Sequence, residues 1–184
     1  EVEWSDSGLE GSWRFLARIW RFVDQWCEQV KSAGPATAVD PGAFDAGERQ
    51  LRRKTHDTIR RVTVDVEQRI HLNTAVSALM ELVNAMYAFG DTIQGSSARP
   101  QSLSVLRESI DALIVMMSPF APHTAEELWE LTGHQGGIEQ TTVRHTNQEA
   151  ELARLGLPRR RPHSVPTSAM ERPVASTLSS TANV

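Results

Sequence analysis

Cysteine is almost absent from this chain of 184 residues, since Cys27 is the only one. A single thiol excludes an internal disulfide framework and fits a reducing compartment, so we expect a cytoplasmic protein. No apolar run approaches the roughly 20 residues that a membrane span needs, and we expect no membrane partner. The first residue is Glu1, with no charged-then-apolar leader, which suggests a piece of a longer protein.

The side chains that usually carry chemistry are sparse and scattered. The six histidines include no His-x-x-x-His pair, and the one cysteine is far from them, which argues against a zinc site. No glycine-rich phosphate loop follows a strand-like pattern. Cys27 lies on the apolar face of a helical pattern, where we expect a buried structural thiol and not a nucleophile. We therefore predict no catalytic residue, no metal site and no cofactor site in this chain.

Apolar residues at helical spacing are what the sequence does contain, whereas strand-like alternation of period two is missing over any useful length. The spacing predicts five helical segments separated by glycine and proline breaks. They begin near Ser5 or Ser7, Glu48, Asn73, Pro100 or Ser102, and Pro122 or Thr124. The second should run to Ile70 and the fifth to Leu131. The fold class that follows is all-α, an antiparallel bundle of about five helices.

The same spacing predicts helix caps and buried faces. Capping boxes are expected at Ser7 and Thr124, and an N-cap at Asn73. Two apolar stripes predict that the first helix is enclosed by its neighbours. These stripes are Leu9, Trp13, Leu16, Trp20, Val23, Cys27 and Val30, flanked by Phe15, Ile19, Phe22 and Trp26. The expected buried edge of the second helix is Leu51, Thr55, Ile59, Val62, Val66 and Ile70, and the third helix should turn Leu79, Met80 and Val83 inward.

Basic residues on the second helix form the one candidate binding surface. At about 100° per residue, Arg49, Arg53 and Arg60 fall in one stripe and Lys54 and Arg61 in a second beside it. Guanidinium groups at such spacing can meet successive phosphates of RNA. The simpler alternative is a solvated helix face on which some of these charges pair with Asp57 or Asp65. The fourth and fifth helices are acidic, so we expect an electrically polarised bundle; the acidic residues are Glu108, Asp111, Glu126, Glu127 and Glu130.

Beyond Gly137 the helical spacing ends. Prolines punctuate a Ser- and Thr-rich stretch that cannot bury enough apolar surface to offset its ordering entropy. We assign residues 1–137 to the bundle and residues 138–184 to a disordered or aberrant tail. The RRR triplet at 159–161 is either a small basic interaction patch or a solvated charge run.

Short sequence blocks stand in a definite order along residues 1–137. They are EWSDSGLEG at 3–11, WRFL at 13–16, IWR at 19–21, RKTH at 53–56, NTA at 73–75, LMELVN at 79–84, SPFAPH at 118–123 and EELW at 126–129. Together they resemble the α-helical anticodon-binding domain of bacterial-type leucyl-tRNA synthetases. Related bundles occur in the class I synthetases for valine, isoleucine and methionine, but the ordered set is fairly specific for leucine.

The resemblance implies the tRNA-binding module of a ligase that uses ATP, with magnesium, to attach leucine to its tRNA. The HIGH-type motif and the KMSKS loop of the family's adenylate-forming site do not occur here, and its editing domain is also missing. This piece is therefore expected to be inactive alone. The implied partners are leucine tRNA and the catalytic domain of the same enzyme. Leucine synthetases generally do not read anticodon bases, so backbone contact through residues such as Arg53, Arg60 and Arg61 is the implied mechanism.

The resemblance ends after GHQGGI at 133–138, where the family continues with a Trp-Pro element and this chain has TVR at 142–144. A frameshifted or chimeric reading frame would produce such a tail. Two other interpretations stay open: the equivalent bundle of a valine, isoleucine or methionine ligase, and a non-enzymatic helical scaffold that docks a protein. The scaffold predicts surplus apolar surface on the first helix.

Overall fold

The computed structural model describes residues 6–38, 40–94 and 98–138. These residues form five α-helices and no β-strand, which confirms the all-α expectation. The helices are α1 (Asp6–Lys31), α2 (Ala46–Val64), α3 (Leu72–Ile93), α4 (Pro100–Met117) and α5 (Pro122–Leu131). Short 3₁₀ turns, Ala36–Ala38 and Pro41–Ala43, lie between α1 and α2, and a π-helical turn, Asp65–Arg69, follows α2.

Successive long helices alternate in direction. Arg18 of α1 bonds Asn84 of α3, and one to two turns later Phe22 and Trp26 lie against Gly90, so α1 and α3 run parallel. A Cβ on Gly90 would come within 3.3 Å of both aromatic side chains, so glycine is what permits this close approach. Bonds of Glu48 to Ser102 and of Thr55 to Ser109 show that α2 and α4 are also parallel. Between α2 and α3 the order is reversed, because Gly47 lies near Phe89 whereas Arg61 lies near Glu81. Neighbours in sequence among these four helices are therefore antiparallel, as expected for an up-and-down bundle.

Three predicted caps are wrong. Ser7 and Thr124 both lie inside helices, because α1 begins at Asp6 and α5 begins at Pro122. Proline at the first helical position has a φ already suited to the helix and no amide that needs a partner, so α5 starts two residues early. Asn73 also lies within its helix, since His71 is the N-cap of α3. A capping box does occur, but on α2, where Asp45 caps the amide of Glu48.

The end of the second helix also differs from the prediction. The α-helical bonding stops at Val64, the chain widens into the π-helical turn, and Ile70 adopts left-handed geometry with φ 55° and ψ 36°. A β-branched residue is strained there, because its side chain crowds the backbone at positive φ. Ile70 was expected to be buried, but the turn leaves its side chain 76% exposed. The remaining predicted edge is buried except for Val66, which is half-buried.

The hydrophobic core lies between the second half of α1 and helices α2 to α5. Its most completely buried members include Ile19, Val23, Leu79, Leu82, Met86, Leu106, Ile110, Leu113 and Leu128. Cys27 is buried at its edge, as predicted, with its thiol directed to the carbonyl oxygen of Asp24. Ile138, which the sequence placed in the tail, is buried against the bundle, and its amide donates to Glu126. The rest of the predicted tail lies outside the described residues.

The first half of α1 is not enclosed. Its buried apolar positions begin at Ile19, whereas Leu9 is 57% exposed, Trp13 69% and Trp20 37%. The prediction that both apolar stripes are covered is therefore wrong for Leu9 and Trp13, which precede the buried half of the helix. It is also wrong for Trp20, which is partly exposed beside the buried Ile19. Met80 of α3, also expected in the core, is exposed as well.

Two junctions with charged side chains join α2 to α4, in addition to the Thr55–Ser109 bond. At the first, the fully buried carboxylate of Glu48 accepts hydrogen bonds from the Asp45 amide at 2.8 Å, the Ser102 hydroxyl at 2.6 Å and the Arg99 guanidinium at 2.7 Å. Two turns along, Glu108 lies 2.9 Å from Arg52 and 3.2 Å from His56. Burial alone would raise the pKa of Glu108, but the bonds from His56 and Arg52 outweigh it and lower that pKa.

A third junction fastens the ends of α1 and α5. The Arg107 guanidinium of α4 donates to the carbonyl of Ala33 at 2.7 Å and to those of Val30 and Lys31 at 3.4 Å, so it satisfies carbonyls left open where α1 ends. Asp111, one turn later, accepts from His134 at 2.8 Å. The His134 ring stacks on Trp129 with centroids 3.6 Å apart.

We expect Glu48→Ala to lower the free energy of unfolding by about 2–3 kcal/mol, because it leaves the Ser102 hydroxyl and the Asp45 amide without their buried acceptor. Denaturant unfolding followed by circular dichroism measures this change. The matched control is Glu10→Ala, which breaks an exposed pair with Arg14 and should change stability by less than about 0.5 kcal/mol. Equal effects of the two substitutions would contradict the role given to Glu48.

Candidate nucleic-acid interface

The outer face of α2 carries the five predicted basic residues. Leu51, Ile59 and Val62 turn inward to the core, so helical geometry places these five positions on the outward side of the helix. Arg49, Arg53, Arg60 and Arg61 are exposed, and Lys54 is half-buried. The two sequence stripes thus occupy one surface, as the spacing predicted, but the partners of the five side chains differ greatly.

Of the five basic side chains, Arg53 has the fewest polar partners. Its side chain is exposed, and no ion pair or hydrogen bond joins it to any residue that the structure describes. It lies on the rim of a shallow cleft between α2 and α3, together with Lys54. An uncompensated guanidinium at a concave surface is available for an anionic partner.

Lys54 and Arg61 share one carboxylate, that of Glu81 on α3. The Lys54 Nζ lies 2.7 Å from Glu81 Oε2, and the Arg61 guanidinium lies 3.3 Å from the same oxygen. The hydrogen bond from Lys54 and the two positive charges lower the pKa of Glu81, so the carboxylate stays ionised. Any phosphate that approaches this pair competes with Glu81.

Arg49 and Arg60 have weaker restraints. The Arg49 guanidinium donates to the carbonyl of Phe44, just before the helix, while remaining exposed. Arg60 lies 3.8 Å from Asp57, one of the two partners that the sequence suggested, and that pair is well exposed. Asp65, the other suggested partner, is buried at the C-cap of α2. A solvent-exposed pair at this distance contributes little energy, so it does not prevent Arg60 from turning to another anion.

The predicted electrical polarity holds for α5 but not for α4. Glu126, Glu127 and Glu130 are exposed on α5. Glu108 and Asp111 of α4 instead face the bundle, where they accept from Arg52 and His134. The acidic residues of α4 are therefore internal counterions.

The sequence-based prediction missed Glu81 and the floor of the cleft. Glu81 is 27 positions from Lys54, so only tertiary packing brings the two side chains together. A weak signal was present, because Glu81, Ala85, Ala88 and Thr92 recur at intervals of three and four residues and so share one face of α3. That face and the basic face of α2 form the two walls of the cleft.

Residues 6–38, 40–94 and 98–138 were also searched for metal sites and membrane-spanning helices. Over these ranges no three His, Cys, Asp or Glu side chains converge in a way that suits a metal ion. None of the helices described has both the length and the apolarity needed to cross a membrane.

Comparison with known proteins decides the family. Residues 48–170 match the family described as the anticodon-binding domain of tRNA ligase. The chain belongs to this family. The match includes all of α2 but its first two residues, the basic surface and helices α3 to α5. It runs beyond residue 137, so the predicted division at that point stays a prediction.

Individual relatives of this anticodon-binding domain are named as leucine–tRNA ligases. The protein from Geobacter sp. (strain M21) is 42% identical over 139 residues, and that from Syntrophobacter fumaroxidans (strain DSM 10017 / MPOB) is 45% identical over 138 residues. These alignments cover 76% and 75% of this chain but only 16% of each relative. The chain therefore spans about one sixth of the length of the enzymes that it resembles.

A solved structure is similar in both fold and sequence. It is the ternary complex of Agrobacterium radiobacter K84 agnB2 LeuRS with tRNA and LeuAMS, with a TM-score of 0.66 and 29% identity. The similarity covers 80% of this chain and 18% of that one. The expected bundle of the anticodon-binding type is thereby confirmed.

We expect Glu81→Gln to strengthen binding to polyanions, because it releases Lys54 and Arg61 from their shared carboxylate. The salt concentration that elutes the protein from immobilised heparin should rise. The matched control is Glu127→Gln, which makes the same change of net charge on the exposed acidic face of α5. If the two variants elute together, the effect is one of net charge only, and Glu81 does not restrain the basic surface.

Proposed function

We propose that this chain is the tRNA-binding helical module of a leucine–tRNA ligase. The observation that carries the proposal is the exposed basic surface of α2, with Arg53 uncompensated among the described residues, on a domain of the anticodon-binding family. The relatives named as leucine–tRNA ligases, at 42% and 45% identity, favour leucine over the valine, isoleucine and methionine alternatives. The similar structure that contains tRNA supports RNA as the partner.

The mechanism we infer is electrostatic positioning of the tRNA backbone. Arg53 supplies the strongest phosphate contact, and Arg49 and Arg60 extend it along the helix at one- and two-turn spacing. Lys54 and Arg61 contribute less, since each must first leave Glu81. Phosphate contacts position a duplex without reading its bases, so specificity for leucine tRNA resides in other parts of the enzyme.

The activity we propose for the whole enzyme is the ATP-dependent attachment of leucine to its tRNA in the cytoplasm. ATP and magnesium are proposed for the catalytic part of the whole enzyme. No side chain of this module is assigned a chemical step. The part played by these residues is to bind and orient the RNA.

The exposed apolar face of α1 favours a second partner, the catalytic part of the same enzyme. Leu9 and Trp13 project from the bundle, and patches of this kind mark protein contacts. This is the surplus surface that a stand-alone scaffold would also show. The chain spans 16% of its relatives, so the remainder of the ligase is the partner that this observation supports.

We expect the chain to bind leucine tRNA weakly and with strong dependence on salt. Arg53→Gln should weaken binding and reduce the slope of log K against log salt concentration by about one unit, as loss of one phosphate contact requires. Fluorescence anisotropy with labelled tRNA over a salt series measures both quantities.

The matched control for Arg53 is Arg21→Gln, because Arg21 is an exposed arginine of α1 that does not line the cleft. It should leave the slope unchanged. Binding that is absent, or that does not depend on salt, would contradict the proposed function.

We expect Trp13→Ser to weaken association with the catalytic part while leaving the bundle intact. Because Trp13 is 69% exposed, the free energy of unfolding should change by no more than about 0.5 kcal/mol. The test is co-purification of this chain with a separately expressed catalytic part of a leucine–tRNA ligase. Unchanged co-purification of the variant would show that the exposed face of α1 does not form that contact.

A further inference from the structure

The cleft between α2 and α3 has an apolar floor and a polar rim. Its volume is about 460 Å³, and its floor is formed by Leu51 together with Ala85, Ala88 and Phe89 of α3. The small side chains of Ala85 and Ala88 leave room above the Phe89 ring. At one end the cleft is bounded by Gly47, where an added Cβ would make an ordinary van der Waals contact with the Phe89 ring at 3.7 Å.

The rim supplies a positive charge above this floor. It is formed mainly by Gln50, Arg53, Lys54 and Asp57 of α2. Lys54 is held by Glu81, and Asp57 lies 3.8 Å from Arg60, which leaves Arg53 as the charge that the rim presents to a ligand. An apolar surface beside one available guanidinium is complementary to a molecule with an anionic group next to a flat, weakly polar body.

We infer that this cleft receives one nucleotide of the bound tRNA, with its phosphate on Arg53 and its ribose and base against Ala85, Ala88 and Phe89. This deepens the proposed function and rests on it. The proposal goes beyond backbone positioning, because it assigns α3 a contact with the body of a nucleotide, a contact whose energy does not depend on salt.

A nucleotide fits the cleft better than a docking protein helix does. A helix in a groove needs apolar anchors spaced over several turns. Here the α2 wall is polar apart from Gly47 and Leu51, and only a short stretch of α3 is apolar. A ribose and base need one such surface, and stacking of a base on an aromatic side chain such as Phe89 contributes about 1–3 kcal/mol.

The test is Ala88→Leu, which fills the cleft without changing charge. Ala88 is exposed, and leucine is a good helix former, so the fold should be kept. We expect affinity for leucine tRNA to fall about tenfold while the salt slope stays that of the unaltered chain. The control is Ala38→Leu, an exposed alanine that does not line the cleft and that should have no effect.

A second measurement locates the nucleotide directly. With tRNA that contains 4-thiouridine, irradiation should cross-link the RNA to the peptide that holds residues 85–92, and Ala88→Leu should abolish that cross-link. If Ala88→Leu binds tRNA with unchanged affinity while Arg53→Gln lowers the salt slope, the cleft assignment is overturned and the proposed function stands. If the unaltered chain shows no salt-dependent binding to tRNA, both are overturned.

Discussion

The buried carboxylate of Glu48 is the interaction on which the rest of the bundle depends. A charge with no exposed surface must be fully hydrogen-bonded, and its donors come from the cap of α2, from Arg99 and from Ser102 at the start of α4. This requirement sets α2 beside α4 in one register. Once that register is set, Arg52 meets Glu108 two turns along, and the opposite side of α2 faces outward with its basic residues.

Charge in this domain is divided between internal junctions and one open surface. Arg52, Arg99 and Arg107 belong to the junctions between helices, where they bind carboxylates or the carbonyls at the end of α1. On the outer face of α2, Lys54 and Arg61 are partly neutralised by Glu81 of α3. Arg53 is left exposed beside an apolar cleft. An acidic protein can thus present a local basic surface, because most of its counterions are placed elsewhere.

The helices, the family and the basic stripes could be predicted because each depends on spacing along the chain. Apolar periodicity locates Ile19, Leu79 and Ile110 in the core without knowledge of any neighbour. The caps at Ser7, Asn73 and Thr124 were predicted wrongly, since several residues can begin a helix and the choice among them depends on what precedes it, such as Pro122. Trp13 and Met80 were misplaced because periodicity shows which residues share a face but not whether another helix covers it.

By itself, therefore, the sequence determined an all-α bundle of a recognisable family and the set of cations on α2. Only the tertiary structure decided which cation is available, because the partners of Lys54, Arg61 and Arg52 lie 20 to 56 positions away and meet them through packing. It also decided that α3 adds an apolar floor beside Arg53. The physical reason is the same in both cases. Local spacing sets the direction of a side chain about its own helix axis, whereas the interaction energy of that side chain depends on the groups that other helices bring within a few ångströms.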